Sequence, residues 1–370
     1  MRIQGAVLEE IGAAAPYAQS RPIRIRELSA DPPGPSECLI RVEAAGVCHS
    51  DLSVVNGNRP RPVPMLLGHE ACGRVLEIGS EVDDLHPGDR VVMTFLPRCQ
   101  DCPGCRTQGR IPCEVGSARN GAGELLTGGR RLRRDSEPVH HHLGVSAFAD
   151  FAVVDHRSLV RIPEDVPPEI GALLGCAVLT GGGAVWNAVR PAPGSRLIVL
   201  GLGGVGMAAL LTALAEPDVE VIGVDPVARK CELALELGAS AALSPQQALA
   251  EGVRADAVIE ASGHPDALGS GIALLATGGV LAATGLAAPS VTTPLPTLRL
   301  VAEALTIQGC YLGSSLPQRD IPRFVERWRQ GLLPLERLIS HRIELQDINL
   351  AMDRLHEGEA LRQIILAHEQ

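Results

Sequence analysis

The feature that most constrains the fold is a glycine-rich turn near the middle of the chain. Before it, the β-branched run RLIVL (196–200) has the character of a strand, and after it residues 204–216 have the character of a buried helix. A strand, a tight turn and a helix in this order predict the start of a doubly wound parallel sheet. The turn follows the pattern G-x-G-x-x-G and consists of Gly201, Leu202, Gly203, Gly204, Val205 and Gly206.

This turn is suited to a dinucleotide cofactor. Glycines allow the backbone to approach a pyrophosphate, whose charge then meets the free amides at the helix N-terminus. The next strand ends with VIGVD, which places Asp225 nineteen residues after Gly206. A carboxylate at that distance accepts hydrogen bonds from the ribose hydroxyls and repels a 2′-phosphate. The sequence therefore predicts binding of NAD rather than NADP.

The character of the sequence changes at about residue 195. The later part alternates strands with helices, whereas the earlier part is rich in short strand-like runs separated by proline and glycine turns. We therefore predict an α/β protein, in which a β-rich, barrel-like domain precedes the parallel sheet. The last segment, from about residue 318, is expected to pack back onto the first domain. The strand-like runs of the first part lie at 38–47, 71–79, 89–94 and 148–155.

Four cysteines in the first domain have the spacing C-x2-C-x2-C-x7-C. The segment that carries them contains almost no apolar residues, so metal ligation would supply the free energy that folds it. Four thiolates saturate tetrahedral zinc, and such a site is structural because no ligand position remains open. The four cysteines are Cys99, Cys102, Cys105 and Cys113.

A second set of metal-binding residue types is spread over the same part of the chain. Cys48, His69 and Cys176 would supply two thiolates and one imidazole, which leaves one position of a tetrahedral zinc open for chemistry. Taken singly, His69 is more often a structural histidine and Cys176 a core thiol. Their occurrence together with the four-cysteine segment and the glycine turn favours a catalytic metal, and hence an enzyme.

Composition argues against several other functions. The formal net charge of −10 disfavours nucleic acid or an anionic membrane as the main partner. No secretory signal precedes the first strand-like segment, so the ten cysteines indicate a reducing cytoplasm rather than disulfides. One basic cluster follows several glycines and lacks aromatic neighbours, which favours a solvated loop. It comprises Arg130, Arg131, Arg133 and Arg134.

These motifs, in this order, resemble the zinc-dependent alcohol dehydrogenases of the medium-chain dehydrogenase/reductase superfamily. The motifs are GVCHSD (46–51), GHE (68–70), the four-cysteine segment, GC (175–176), GLGGVG and VIGVD. The resemblance implies a GroES-like catalytic domain over residues 1–177, with a structural zinc lobe at 97–115. A Rossmann NAD-binding domain would follow at 178–317, and residues 318–370 would return to the catalytic domain. It also implies two zinc ions per chain, with Cys48, His69 and Cys176 binding the catalytic one.

Further roles around the reacting atoms follow from the same resemblance. Ser50 corresponds to the hydroxyl that takes the alcohol proton, Asp51 to the carboxylate that orients the ligating histidine, and Glu70 to an acid behind the metal. His49 corresponds to a group that meets the cofactor pyrophosphate, and Lys230 to a basic residue near the adenosine ribose. The substrate channel would be lined by Phe95, His142, Leu143 and Leu286.

The implied activity is hydride transfer between NAD and a primary, apolar or aromatic alcohol or its aldehyde. Many family members have a histidine where this chain has Ser53, so the onward path of the proton stays open. Segment 116–139 resembles the dimeric, animal-type and formaldehyde-dehydrogenase-like branch, and we expect a homodimer that pairs through residues 305–313.

Three alternatives remain at this level. The first is a formaldehyde dehydrogenase that acts on a thiol adduct. Ser117 and Asn58 are uncharged at the positions where the formaldehyde branch binds an anionic adduct, so the thiol carrier would be of the mycothiol type. A related reductase would act on a C=C or C=N bond without using the metal. A cofactor-binding protein without turnover is the third alternative.

Overall fold

The computed structural model describes residues 1–367 and divides into two compact units. The first unit combines Met1–Cys176 with the segment that begins at Leu335, and the second unit is Ala177–Pro334. The strands are β1 (Arg2–Leu8), β2 (Ile23–Ala30), β3 (Glu37–Val47), β4 (Met65–Leu66), β5 (Ala71–Ile78), β6 (Arg90–Met93), β7 (Leu132–Arg134), β8 (Glu137–His141), β9 (Phe151–Asp155), β10 (Leu159–Arg161), β11 (Arg196–Leu200), β12 (Glu220–Val224), β13 (Ala241–Leu243), β14 (Ala255–Glu260), β15 (Leu275–Ala283), β16 (Thr306–Gly309), β17 (Ile339–Ile343) and β18 (Arg362–Leu366). The α-helices are α1 (Tyr17–Ser20), α2 (His49–Val55), α3 (Glu114–Ala122), α4 (Pro168–Leu173), α5 (Leu179–Gly183), α6 (Gly204–Leu214), α7 (Ala228–Glu236), α8 (Pro245–Ala250), α9 (Ala267–Ala273), α10 (Thr297–Ala302), α11 (Pro317–Arg329) and α12 (Ile348–His356).

The first unit is built from two β-structures that share one core. One is a closed barrel with the strand order β1-β2-β7-β8-β4, and the other is a sheet with the order β10-β6-β5-β3-β18-β17, in which β9 also pairs with β3. Strand β3 is buried along most of its length because strands flank it on both sides. The two ends of the chain meet here, since β18 pairs with β3 and Asp353 of α12 accepts the amide of Ala18 at 2.8 Å.

The arginine cluster is structured rather than a solvated loop. Two of its members lie in β7, which forms a hairpin with β8 in the barrel. Each arginine is close to a carboxylate, so the four positive charges are neutralised within the unit. The pairs are Arg130 with Glu124 (3.5 Å), Arg131 with Glu37 (2.7 Å), Arg133 with Asp31 (3.4 Å) and Arg134 with Glu9 (2.7 Å).

The second unit confirms the predicted doubly wound sheet. Its strand order is β13-β12-β11-β14-β15-β16, and every neighbouring pair is parallel. The first strand of this unit, β11, lies between β12 and β14, which is the topology of a dinucleotide-binding fold. Helix α6 follows the glycine turn and is buried from Gly206 to Ala213, as its uniformly apolar sequence predicts.

The prediction that the chain returns from the second unit to the first unit at residue 318 is wrong. Helix α11 belongs to the second unit, and the chain returns to the first unit only at Leu335. The reason lies in the packing of this helix. The Phe324 ring stacks on Trp186 with the ring centroids 4.2 Å apart, and Asp320 accepts a hydrogen bond from the Asn187 amide. These contacts connect α11 to the helical segment that opens the second unit.

One continuous helical run, Pro168–Val189, is long and apolar enough to cross a membrane by length and composition. In the structure 83% of its most apolar window is buried by the protein itself. Such burial is expected of a core helix. The run also includes two π-helical turns, Leu174–Val178 and Ala184–Val189.

Candidate active site and metal centres

The three predicted ligands of the open metal site come together in the first unit. The Sγ atoms of Cys48 and Cys176 and a ring nitrogen of His69 all lie within 4.8 Å of one another, and all three residues are buried. Cys48 directly precedes α2, His69 lies between β4 and β5, and Cys176 lies in a π-helical turn. Residues far apart in sequence thus supply a two-thiol, one-imidazole donor set, which is the set that zinc takes in a site with one open position.

Asp51 orients this donor set. Its Oδ1 lies 3.0 Å from Nδ1 of His69, and its Oδ2 accepts the backbone amide of Cys48 at 2.8 Å. Within residues 1–367, the buried Nε2 of His69 has no hydrogen-bond partner. An imidazole fixed through Nδ1 and unpaired at Nε2 is arranged as a metal ligand. The residues present therefore fit a zinc ion bound by Cys48, His69 and Cys176.

The charges around the site favour a thiolate. Contact with the thiol of Cys176 lowers the pKa of Cys48 well below its usual range, and although burial opposes the shift, the guanidinium of Arg362 adds to it. Arg362 also forms a buried ion pair with Glu70, at 2.9 Å. Burial raises the pKa of Glu70 to about 7, against the opposing charge of Arg362.

Arg362 is a site residue that sequence reasoning missed. It lies in the last strand of the chain, 292 residues after Glu70, and the local sequence RQIIL carries no signal of chemistry. Only the antiparallel pairing of β18 with β3 brings it to the metal site.

The four-cysteine segment also fits its predicted metal. The Sγ atoms of Cys99 and Cys105 are 3.9 Å apart, as are those of Cys102 and Cys113. Four sulfurs at about 2.3 Å from one zinc would be separated by about 3.8 Å. The amides of Cys102 and Gly116 donate to the sulfurs of Cys99 and Cys113. Although desolvation opposes the shift, hydrogen bonds from the backbone of Glu114 and Cys105 help to lower the pKa of Cys102 to about 6.

Two of the four predicted channel residues, Phe95 and His142, contact His69. Its imidazole contacts the ring of Phe95 on an edge, with the centroids 5.4 Å apart, and the ring of His142 in the same way at 5.2 Å. Leu143 follows His142, is buried and has a left-handed backbone with φ +54°. Leu286 lies in the second unit and is 51% exposed.

The predicted proton-transfer and phosphate-binding residues lie in the first turn of α2. His49 is exposed at the first position of the helix, and Ser50 follows it partly exposed. Ser53, which stands where many family members have histidine, donates its hydroxyl to the carbonyl of His49 at 2.9 Å. The Ser53 hydroxyl is therefore held by the helix backbone.

The glycine turn and Asp225 are joined by direct hydrogen bonds in the second unit. Asp225 accepts the amide of Leu202 at 2.7 Å on Oδ2 and the amide of Val227 at 2.9 Å on Oδ1. The Nζ of Lys230 lies 3.9 Å from Oδ2. Each carboxylate oxygen retains lone-pair capacity for a ribose hydroxyl. The carboxylate thus positions the glycine turn.

The two glycines at the start and end of α6's first turn have separable roles, and we predict different results for Gly206→Ala and Gly203→Ala. A Cβ on Gly206 would overlap the carbonyl oxygen of Gly201, whereas a Cβ on Gly203 meets no atom within 4 Å. Gly206→Ala should lower the free energy of unfolding by about 3 kcal/mol in a denaturant titration. Gly203→Ala should leave stability unchanged but weaken NADH binding about tenfold, because a dinucleotide bound at this turn would approach the backbone there. Equal stability losses in the two variants would contradict this division.

For the four-cysteine segment, we predict that Cys113→Ser reduces the zinc content of the purified protein from about two ions per chain to about one. Loss of the metal should also lower the midpoint of thermal unfolding, since ligation holds a segment with little apolar content. Atomic absorption and a thermal melt measure the two effects. Cys231→Ser is the matched control, because its thiol lies in the second unit outside both metal-ligand groups, and its zinc content should not change.

The geometry can now be compared with known proteins. Residues 34–164 match the alcohol dehydrogenase GroES-like domain family, and residues 204–330 match the zinc-binding dehydrogenase family. Geraniol dehydrogenase of Castellaniella defragrans is 35% identical over 373 residues, which cover 98% of this chain and 97% of that protein. Crystal structures of an alcohol dehydrogenase zinc-binding domain protein from Burkholderia ambifaria and of benzyl alcohol dehydrogenase from Acinetobacter calcoaceticus give TM-scores of 0.91 and 0.90, with 33% and 31% identity, and each covers both chains completely. The chain therefore belongs to the zinc-binding alcohol dehydrogenases of the medium-chain dehydrogenase/reductase superfamily, and it is an oxidoreductase.

Proposed function

We propose that this protein is an NAD-dependent, zinc-dependent dehydrogenase that interconverts a primary apolar or aromatic alcohol and its aldehyde. The observation that carries the proposal is the buried group of Cys48, His69 and Cys176, with an unpaired Nε2 on His69. This group has three ligands and leaves the fourth position of a zinc ion for the substrate oxygen. The geraniol and benzyl alcohol dehydrogenases that the chain resembles support the same substrate class.

Different residues of the chain have different roles in the proposed reaction. A bound zinc would act as a Lewis acid that makes the alcohol proton more acidic. Asp51 holds His69 by Nδ1, so that its Nε2 keeps a free lone pair for that metal. We assign to Ser50 the removal of the alcohol proton, while the hydride passes from the carbinol carbon to NAD, giving aldehyde, NADH and a proton. The Ser53 hydroxyl donates its hydrogen bond to the backbone carbonyl of His49 and is therefore not free to relay the proton. We therefore assign the route of the proton beyond Ser50 to water.

The choice of NAD over NADP rests on Asp225. Its side chain is buried to 6% exposure and stays next to the glycine turn through the hydrogen bonds to Leu202 and Val227. A 2′-phosphate at the neighbouring ribose would bring two more negative charges towards a carboxylate that cannot move away. The nearby ammonium of Lys230, at 3.9 Å, reduces this repulsion without removing it.

The alternatives fit the site less well. A reductase of C=C or C=N bonds without a catalytic metal would have no use for the three converging ligands or for Asp51 behind them. A mycothiol-type formaldehyde dehydrogenase uses the same metal and cofactor chemistry, and it is the alternative that an assay must exclude. The cytoplasm is the compartment that we propose, because reduced thiols are needed at both metal groups.

The proposal predicts that the zinc-loaded protein reduces NAD with benzyl alcohol or a straight-chain primary alcohol, followed at 340 nm. NADP should give a kcat/KM lower by about tenfold or more, because of the charge of Asp225. Cys176→Ser should lose activity by more than about 100-fold together with one zinc ion per chain, whereas Cys231→Ser should retain both. Formaldehyde with mycothiol as the sole active substrate pair would favour the alternative, and no turnover of any alcohol would refute the proposal.

We also propose a homodimer formed through the second unit. Strand β16 lies at the edge of the sheet, and none of the residues of the neighbouring helix α10 is buried in the chain. On that helix Leu298 is 82% exposed and Val301 is 79% exposed, which is a large apolar surface for a monomer to leave in water. A second copy that pairs with β16 across a twofold axis would cover both features.

Light scattering should therefore give a mass of twice the 38.9 kDa of one chain. The double variant Leu298→Asp, Val301→Asp should shift the protein to the monomer, because two charges cannot be buried in an apolar interface. The control is Leu235→Asp, on helix α7 of the same unit, where the side chain is 48% exposed and lies outside the proposed interface. A wild-type monomer, or a variant that stays dimeric, would contradict the proposed interface.

A further inference from the structure

His142 is a buried histidine to which the proposed reaction assigns no chemical role. Its Nδ1 lies 3.3 Å from Oδ1 of Asp51, and the same oxygen lies 3.0 Å from Nδ1 of His69. The side chains of His142 and Asp51 are 1% and 0% exposed. One carboxylate oxygen therefore lies between two imidazole rings, and one of these rings belongs to a predicted metal ligand.

The contact between His142 and Asp51 is that of a donor facing an acceptor. An ionised carboxylate only accepts hydrogen bonds, so an imidazole nitrogen that is attracted to it carries a proton in both the neutral and the cationic ring. Within residues 1–367, Nδ1 of His142 makes no fully aligned hydrogen bond, so this contact is weaker than that of His69. With the amide of Cys48 on Oδ2, the buried carboxylate faces three donors, two of which share Oδ1.

The two histidine rings also contact each other. The ring of His142 meets that of His69 on an edge, with the centroids 5.2 Å apart and an angle of 80° between the ring planes. Phe95 contacts His69 in a similar way, at 5.4 Å and 84°, but has no polar atom. His142 thus makes two kinds of contact, the packing of a ring against His69 and a donor facing Asp51, and a substitution can remove either one alone.

The backbone holds His142 in this position. The hydroxyl of Ser146 accepts the amide of His142 at 2.8 Å and donates to the carbonyl of Leu66, also at 2.8 Å. The amide of Ser146 donates in turn to the carbonyl of His142 at 3.3 Å. Leu66 lies three residues before His69, so one buried hydroxyl connects the segments that carry the two histidines. The position of His142 relative to His69 is therefore set by backbone hydrogen bonds as well as by the rings.

We propose that His142 is a positioning residue of the catalytic metal site, which donates from Nδ1 to Asp51 and so keeps this carboxylate aligned with the ligating ring of His69. A residue of this kind acts on the metal through the ligand that it helps to orient, and the loss of such outer partners weakens metal binding. The inference rests on the zinc site of the proposed function, but it does not depend on which alcohol is oxidised.

The test separates the donor of His142 from its ring. His142→Phe keeps an aromatic ring but removes the donor, whereas His142→Asn removes the ring but has an amide nitrogen that can take the place of Nδ1. In competition with a chelator, His142→Phe should bind the catalytic zinc about tenfold more weakly than the wild type. His142→Asn should bind it within about threefold of the wild type, because the donor is restored. The zinc of the four-cysteine segment should be retained in both variants and is the internal reference.

Cobalt in place of the catalytic zinc gives a second readout that does not require turnover. The visible absorption of thiolate-bound cobalt depends on the arrangement of the donors, so it should change in His142→Phe and return towards the wild-type spectrum in His142→Asn. The matched control is His140→Phe in the same histidine run. There the ring accepts a hydrogen bond from Arg130 instead, so zinc binding and the cobalt spectrum should not change.

The outcomes distinguish this inference from the function on which it rests. Zinc binding that is unchanged in His142→Phe would overturn the donor role and leave alcohol oxidation intact. An equal loss in both variants, or loss of the structural zinc as well, would also overturn it, since either result indicates an effect on packing or on the fold. Weaker zinc binding in His142→Phe that recovers in His142→Asn, in a protein that oxidises no alcohol, would uphold the role of His142 and overturn the proposed reaction.

Discussion

The carboxylate of Asp51 is the constraint on which the metal site depends. One oxygen faces Nδ1 of His69 and the other accepts the amide of Cys48, so a single side chain sets the orientation of one ligand and the backbone position of another. Asp51 itself is fully buried in the first turn of α2, where helix geometry holds it. The consequence is a donor set already shaped for a metal, with the ligating nitrogen unpaired and one thiol biased towards the thiolate.

The architecture of the first unit provides the rigidity that this arrangement needs. Strand β3 leads directly to Cys48 and is paired along its length with β5, β9 and β18. Strand β18 returns from the far end of the chain and carries Arg362, whose charge compensates Glu70 behind the ligands. Removing either partner would leave an uncompensated charge in a dry environment, so the closing segment of the chain is part of the site and not an appendage.

The second unit also contains a buried carboxylate that fixes the backbone of its candidate site. Asp225 binds the amides of Leu202 and Val227, and through them it fixes the turn that would receive the pyrophosphate. The conformation of this turn depends on Gly206, because a side chain at that position would overlap the backbone of Gly201. In both units, then, a buried carboxylate accepts a backbone amide beside a site for a charged group.

Local sequence was sufficient for the features that short-range geometry controls. The spacing of Cys99, Cys102, Cys105 and Cys113 predicts a four-sulfur group, and the glycine turn with Asp225 predicts a parallel dinucleotide-binding sheet, because each motif acts within one loop or one strand–helix unit. Convergence of Cys48, His69 and Cys176 was predicted from their residue types, from their occurrence with the other motifs and from the family resemblance, since no spacing rule connects them. The end of the second unit and the pairing of Arg362 with Glu70 were decided by tertiary packing alone. Those features arise from contacts between segments up to 292 residues apart in the sequence. Contacts of this kind produce no periodicity or fixed spacing, so the sequence alone contains no sign of them.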